Sequence, residues 1–196
     1  MEANSHHNQK GDPLRIIEGQ LRECYGRVVY SHKTHEKCAD ILLARLSNIK
    51  LAQIVLSALT TGSIVSVLFG SGTIGAAVGA VLSAILLMLN AYTKDYNLGE
   101  FAQKHRQAGA DLWIIREEYL SLLTDLRMNA TPIEEIRSRR DHLTKKLGAV
   151  YTGAPSTNYK AYKKAQDALN KLEDMTFSEP EIDAFLPKEL KRIRKE

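Results

Sequence analysis

His32, His35, Glu36 and Cys38 fall within seven residues of one another. Side chains at i, i+3 and i+4 on a helix can share a zinc ion. Here the surrounding apolar periodicity puts His35 on an inward line, while His32 and Glu36 lean away from it. No second cluster completes a site, so no metal is expected. Cys24 and Cys38 lie fourteen residues apart on the same pattern. On a helix that is about 21 Å, too far for a disulfide, and both thiols read as packing groups on a cytoplasmic face where thiols stay reduced. The glycine-rich run Gly70-Ser71-Gly72-Thr73-Ile74-Gly75 lacks the lysine of a phosphate cradle. There is no nucleophile–base arrangement, no carboxylate pair in an apolar context and no Cys-x-x-Cys. The chain therefore reads as a non-enzyme without a cofactor.

The elements that carry these residues are set by charge segregation. Residues 51–93 hold no Asp, Glu, Lys, Arg or His, in a chain that is 26% charged. Mean hydropathy is −0.26, a soluble-looking average that hides this stretch. A bilayer core of roughly 30 Å takes about 20 helical residues to span, so the stretch has the length of two crossings. It starts some 50 residues in and is too long for a signal peptide. The net charge of +4 divides evenly between the two flanks, which gives no argument for direct nucleic-acid binding.

Gly70 and Gly72 mark a turn between a helix over residues 49–69 and one over 73–93. Arg45 and Lys50 precede the pair, and Lys94, Lys104 and Arg106 follow it, while the loop is uncharged. The positive-inside rule puts both termini in the cytoplasm, with Tyr92 and Tyr96 as aromatic anchors. Ala58, Gly62, Ser66 and Gly70 fall four apart on the first helix; Ser71, Gly75, Gly79 and Ser83 do so on the second, with Ala76, Ala80 and Ala84 alongside. Small residues allow the close backbone approach that holds helices together in lipid. The stripes either seal the hairpin to itself or also pack against a neighbouring subunit. One hairpin encloses no pore, so conduction needs a homo-oligomer. Gln53 and Asn90 lie near the cytoplasmic ends, the hydroxyls can bond to backbone carbonyls, and no buried charge marks an ion path. A dedicated transporter is not expected.

The flanks read as helices. Leu14, Leu21, Val28, His35, Leu42 and Ile49 form a heptad line, with Ile17, Cys24, Ser31, Cys38 and Arg45 as companions. This is coiled-coil spacing. Residues 1–13 read as disordered, and the helix over 14–50 enters the membrane without a break. After the hairpin, Phe101, His105, Ala108, Leu112, Ile115, Tyr119, Leu122 and Leu126 alternate steps of four and three, with Trp113 beside the seam. That helix should run from the membrane to about Asn129, roughly 50 Å past Thr93. The two flanking helices should pair antiparallel as a stalk. If Leu51 and Thr93 share one depth, position x faces about 144 − x, which puts His35 near Gly109 and within a turn of His105. The two histidines are either ordinary core groups or a pH-sensitive layer.

Thr131-Pro132-Ile133-Glu134 predicts a capping box with Pro132 as the first helical residue and a helix to about Gly148. A linker at Thr152-Gly153-Ala154-Pro155 follows. A helix over residues 157–175 presents Tyr159, Tyr162, Ala165, Leu169 and Leu172 on one face. A short helix after Ser178-Glu179-Pro180 ends in a basic tail, Lys188 to Lys195. With no alternating strand pattern, the fold class is all-α. The basic groups at Arg137, Arg139, Arg140, Lys145 and Lys146, and at Lys160, Lys163 and Lys164, have acidic neighbours. They are solvated faces, or they attract anionic lipid or an acidic partner.

The hairpin, together with Leu98-Gly99-Glu100, His105-Arg106 and the run Leu112-Trp113-Ile114-Ile115-Arg116-Glu117-Glu118-Tyr119-Leu120-Ser121-Leu122-Leu123, resembles the SLATT family over residues 14–175. These are two-transmembrane effector domains that associate with SMODS nucleotidyltransferases and SLOG sensors, and the resemblance looks closest to family five. It implies a bacterial anti-phage effector that oligomerises in the inner membrane and opens a pore or disrupts the bilayer when triggered. It implies no catalytic residues. It implies a separate signal-generating partner, a nucleotidyltransferase system or, for family five, a neighbouring reverse transcriptase. With no sensor expected on this chain, the stalk and C-terminal helices would receive the signal. The alternative is a passive membrane adaptor that recruits a cytoplasmic partner.

Overall fold

A computed structural model of the chain describes residues 13–70, 72–171 and 177–187, all helix and turn with no strand among them. The expected disordered N-terminus, Ser71, the end of the fifth helix with Leu172 and Met175, and the basic tail from Lys188 lie outside the described residues.

α1 runs unbroken from Pro13 to Leu68, about 84 Å at 1.5 Å per residue. Pro13 stands at its start, where a missing N–H costs nothing. α2 spans Gly72–Asp95. Both are long and apolar enough to cross a membrane. Between them Gly70 adopts φ +103°, a left-handed conformation that suits glycine.

α3 spans Leu98–Arg127 and does not continue α2. The predicted uninterrupted passage from membrane to stalk is broken at Tyr96-Asn97. The Asn97 side chain accepts a hydrogen bond from the Glu100 N–H at 3.1 Å, so it caps a new helix instead of extending the old one. At the far end Asn129 takes φ 50°, and the Ala130 N–H bonds to the Asp125 carbonyl, a C-terminal closure that asparagine tolerates.

α4 covers Ile133–Gly153. Pro132 is extended and stands outside the helix, and no side chain caps it; the predicted Thr131 capping box does not form. α4 also outruns its predicted end at Gly148 by more than a turn, because glycine is permitted within a helix. α5 spans Tyr159–Lys171 and buries Ala161, Ala165 and Ala168. Of the predicted face, Ala165 is buried and Leu169 half-buried, while Tyr159 is exposed and Tyr162 lies at the edge against Tyr30; the alanines let α5 approach α1 closely. α6 spans Glu179–Phe185, and the Glu181 carboxylate accepts bonds from the Ser178 N–H and hydroxyl.

The core lies in the stalk. Ile17, Leu21 and Val28 of α1 pack with Leu112, Ile115, Tyr119, Leu122 and Leu126 of α3 and with Ile136 and Leu143 of α4. α5 packs on α1 alongside. The two hairpin helices pack chiefly on each other. Their large side chains, among them Ile54, Leu68, Ile74, Val81 and Leu87, are exposed.

Candidate functional site

Two layers of this molecule could carry function: the α1–α2 seam and the histidine layer of the stalk. Of the small residues singled out on the hairpin, Gly75 and Gly79 are buried in the seam. A Cβ on Gly75 would stand 2.7 Å from Ser66 Oγ and 3.1 Å from the Ser63 carbonyl; one on Gly79 would stand 2.7 Å from Ser63 Oγ. Ser66 belongs to this contact. Ala58, Gly62 and Ser83 are exposed instead, and Gly62 has open space where its side chain would be. The α1 half of the seam runs Gln53, Leu56, Thr60, Ser63 and Val67, spaced by three and four, so the strict spacing of four selected the back of the helix.

The hydroxyls inside the hairpin bond to their own helix. Ser57 and Thr61 donate to carbonyls one turn back, as do Thr60, Ser63 and Ser66. At the stalk end Gln53 Nε2 donates to Asn90 Oδ1 at 2.8 Å, a cross-helix bond that locks the base of the hairpin. Just below, the Arg45 guanidinium lies over the Tyr92 ring, and Tyr92 stacks on Tyr96 with centroids 4.9 Å apart.

In the stalk, His35 Nδ1 lies 3.0 Å from His105 Nδ1. Both rings are buried. His35 thus faces His105, one turn nearer the membrane than the Gly109 of the simple register. His32 takes the Gly109 position and donates from Nδ1 to the Gly109 carbonyl at 2.8 Å. The sequence reading that His32 leans away is overturned: it is buried on α3, because a supercoiled seam is wider than one heptad line. One imidazole of the His35–His105 pair donates and the other accepts, so at most one can be protonated without losing the bond. Burial, then the neighbouring His105 and His32, lower the His35 pKa from 6.5 to about 4. Burial also lowers that of His105. Among the described residues no three His, Cys, Asp or Glu side chains are placed to share a metal.

The other stalk residues predicted to matter divide. Leu112, Ile115 and Tyr119 are core; Trp113 is half exposed beside them. The Tyr119 hydroxyl, against Cys24 and Thr144, makes no hydrogen bond of ordinary geometry. Across the seam Arg106 pairs with Asp40 at 2.7 Å and with Glu36 at 3.4 Å.

Sequence reasoning missed a cavity of about 320 Å³ on the other side of His35, lined by Tyr30, Ser31, Thr34, Tyr151 and Tyr162. Ser31 and Tyr151 hydroxyls lie 2.7 Å apart across it, and Tyr30 donates to Asn170. The available signal was a second stripe on α1, Tyr30, Thr34, Cys38 and Ile41, stepping four, four and three. Cys38 lies buried on it, where burial raises its thiol pKa.

The sequence matches the model of SMODS and SLOG-associating 2TM effector domain family 4 over residues 17–181. The chain belongs to the SLATT family. The match covers nearly all of the stalk, the hairpin, α4, α5 and the start of α6. It is family four and not family five, and the expectation of a neighbouring reverse transcriptase, which was tied to family five, loses its ground. No curated protein and no solved structure matches significantly. As a SLATT domain with two helices able to span a bilayer, this is a membrane protein whose family name couples it to SMODS and SLOG systems.

Proposed function

We propose that this chain is a gated membrane effector of a bacterial anti-phage system. Its hairpin sits in the inner membrane with both termini inside, several copies associate, and a trigger received by the stalk opens a pore or disrupts the bilayer, killing or arresting the cell. The observation that carries this reading is the division of small residues. Gly75 and Gly79 are consumed in sealing α2 to Ser63 and Ser66 of α1, whereas Ala58, Gly62, Ala76, Ala80 and Ser83 face outward. An outward face of small residues suits close approach by a second copy. Nothing charged lies between Leu51 and Thr93, which favours an unselective opening over a transporter. The cations Arg45, Lys50 and Lys94 at the stalk end support the orientation.

The test is dye release from liposomes carrying the purified protein, with and without lysate from phage-infected cells. Release should require the trigger and should fall at least tenfold in Gly62→Phe/Ala80→Phe, which leaves the seam intact. Unchanged release in that variant, or none under any trigger together with a monomer in detergent, sinks the pore. Gly79→Asp is unsuitable here, since it would break the hairpin itself.

A second reading, a passive adaptor, draws on the half-exposed Trp113, Ile114 and Leu120 on α3. A large apolar group left in water on a polar helix suits a partner. Under that reading Trp113→Glu abolishes recruitment, while Gly62→Phe/Ala80→Phe leaves activity untouched.

A further inference from the structure

α5 ends its packing against α1 at the base of the hairpin, and there the two elements enclose a groove of about 680 Å³. Three cations line it: Arg45 from α1, and Lys160 and Lys164 from α5, more than 110 residues away in sequence. No carboxylate lines it. Among the described residues none of the three forms an ion pair, in contrast to Arg137, Arg139 and Lys146 of α4, which pair with Glu134, with Asp125 and Glu135, and with Glu118. Lys160 and Lys164 are one turn apart on the same face of α5. Arg45 is held from the other side by the Tyr92 ring of α2. Asn48 and Asn158 add two uncharged polar groups, and the rest of the wall is apolar: Ile41, Ile49, Ala52 and Leu89. Ala52 and Leu89 lie within the uncharged segment that begins at Leu51 and ends at Thr93.

The groove therefore has a cationic mouth on the stalk side and an apolar floor that runs onto the hairpin. Unpaired cations brought together cost energy by mutual repulsion unless an anion relieves it. A free anion would use the mouth alone and leave the apolar floor wet. A molecule with a phosphate at one end and an acyl chain at the other uses both. We infer that this groove binds an anionic phospholipid, its phosphate among Arg45, Lys160 and Lys164 and an acyl chain along Ile49, Ala52 and Leu89. The bound lipid would bridge α5 to the hairpin, so that the position of the C-terminal helices depends on the leaflet beside them. Basic pockets beside membrane helices take anionic headgroups on the same grounds. The inference rests on the reading that the hairpin lies in a bilayer.

The experiment takes the full chain from membranes into detergent with equal amounts of phosphatidylglycerol and phosphatidylcholine, and counts retained lipids by native mass spectrometry. The wild type should retain phosphatidylglycerol several-fold over phosphatidylcholine. The variant Arg45→Gln/Lys160→Gln/Lys164→Gln should lose the preference. A control of equal charge loss at the distant end of the stalk, Arg22→Gln/Arg137→Gln/Lys145→Gln, should keep it. Equal retention by the groove variant overturns the site, as does equal loss in the control, which would mean general charge attraction. Inorganic phosphate and glycerol phosphate serve as chain-free competitors; if either displaces the lipid at matched concentration, the apolar floor takes no part and the lipid proposal falls. Alkaline carbonate extraction separates this from the underlying reading. A wild type that stays in the membrane pellet without lipid preference overturns only the groove. A wild type released by carbonate overturns the membrane placement and the groove with it.

Discussion

His35 and His105 meet Nδ1 to Nδ1 at 3.0 Å inside a helix pair, with the protonation of each restrained by burial. The charged and titratable groups around them are His32 of α1, the Glu36–Arg106 pair at the edge of the seam, and Tyr30, Tyr151 and Tyr162 across the cavity. No carboxylate is within ion-pair reach of either ring in the described residues, so nothing rewards protonation. With folded-state pKa values below 6.5, the neutral pair contributes stability that is complete above 6.5 and is lost as pH falls toward about 4. The thermal midpoint of the detergent-solubilised protein should hold steady above neutrality and fall across that window. Each kcal/mol lost lowers it by about 2–4 °C in a chain of this size. His35→Leu/His105→Leu should flatten the fall, and a profile that keeps its acid limb in this variant disproves the assignment. Tyr119 gives a second check at the same scale. Its hydroxyl is buried without a regular partner, an arrangement that costs free energy. Tyr119→Phe should leave the midpoint unchanged or raise it, and a loss above about 1 kcal/mol would reveal a bond from Tyr119 to Thr144 or Cys24.

At the scale of elements, the hairpin and the joint to α3 make separate predictions. Gly75 has a hydroxyl and a carbonyl where its Cβ would go, while Gly62 has nothing within 4 Å. Gly75→Ala should pry the two helices apart and weaken the hairpin. Gly62→Ala should be neutral or stabilising by up to about 1 kcal/mol, the usual gain in helix propensity. Unfolding by sodium dodecyl sulfate read by circular dichroism orders the two; the reverse order contradicts the seam. Asn97→Ala should remove the cap on α3 at a cost of about 0.5–2 kcal/mol, seen as faster hydrogen exchange over residues 98–101. Most of this architecture was legible in the sequence, and for identifiable reasons. Absence of charge over Leu51–Thr93 located the hairpin, and steps of three and four from Phe101 to Leu126 located α3. The register between the stalk helices followed from the hairpin's geometry to within one turn. What escaped has local causes. Asn97 looks like any polar residue in a helix until its side chain is seen turned to Glu100, and the inner face of α5 is made of alanines, which carry no hydropathy contrast. The true α1 stripe mixes Gln53, Thr60 and Ser63 with Leu56 and Val67, so neither small size nor polarity marked it.

For the molecule as a whole, α1 matters most, since it is hairpin and stalk in one uninterrupted helix. A rotation of α1 in the stalk must therefore turn its membrane half, whereas α2 and α3 are uncoupled by the break at Tyr96-Asn97. A signal bound to the stalk that turns α1 must break its contacts with both partner helices: His35 to His105 and Asp40 to Arg106 on α3, and Gln53 to Asn90 on α2. These lie in a row from stalk to hairpin. If triggering turns α1, weakening the row should lower the threshold, and fixing it should raise it. Arg106→Gln removes both cross-helix ion pairs at an exposed site, where each is worth only about 0–1 kcal/mol. The variant should fold, stay in the membrane and release dye at a lower dose of trigger. A disulfide between α1 and α3 introduced at Asp40 and Arg106 should abolish release until it is reduced. Release that is indifferent to both changes would mean that the opening does not pass through the stalk, and that the hairpin responds to the membrane alone.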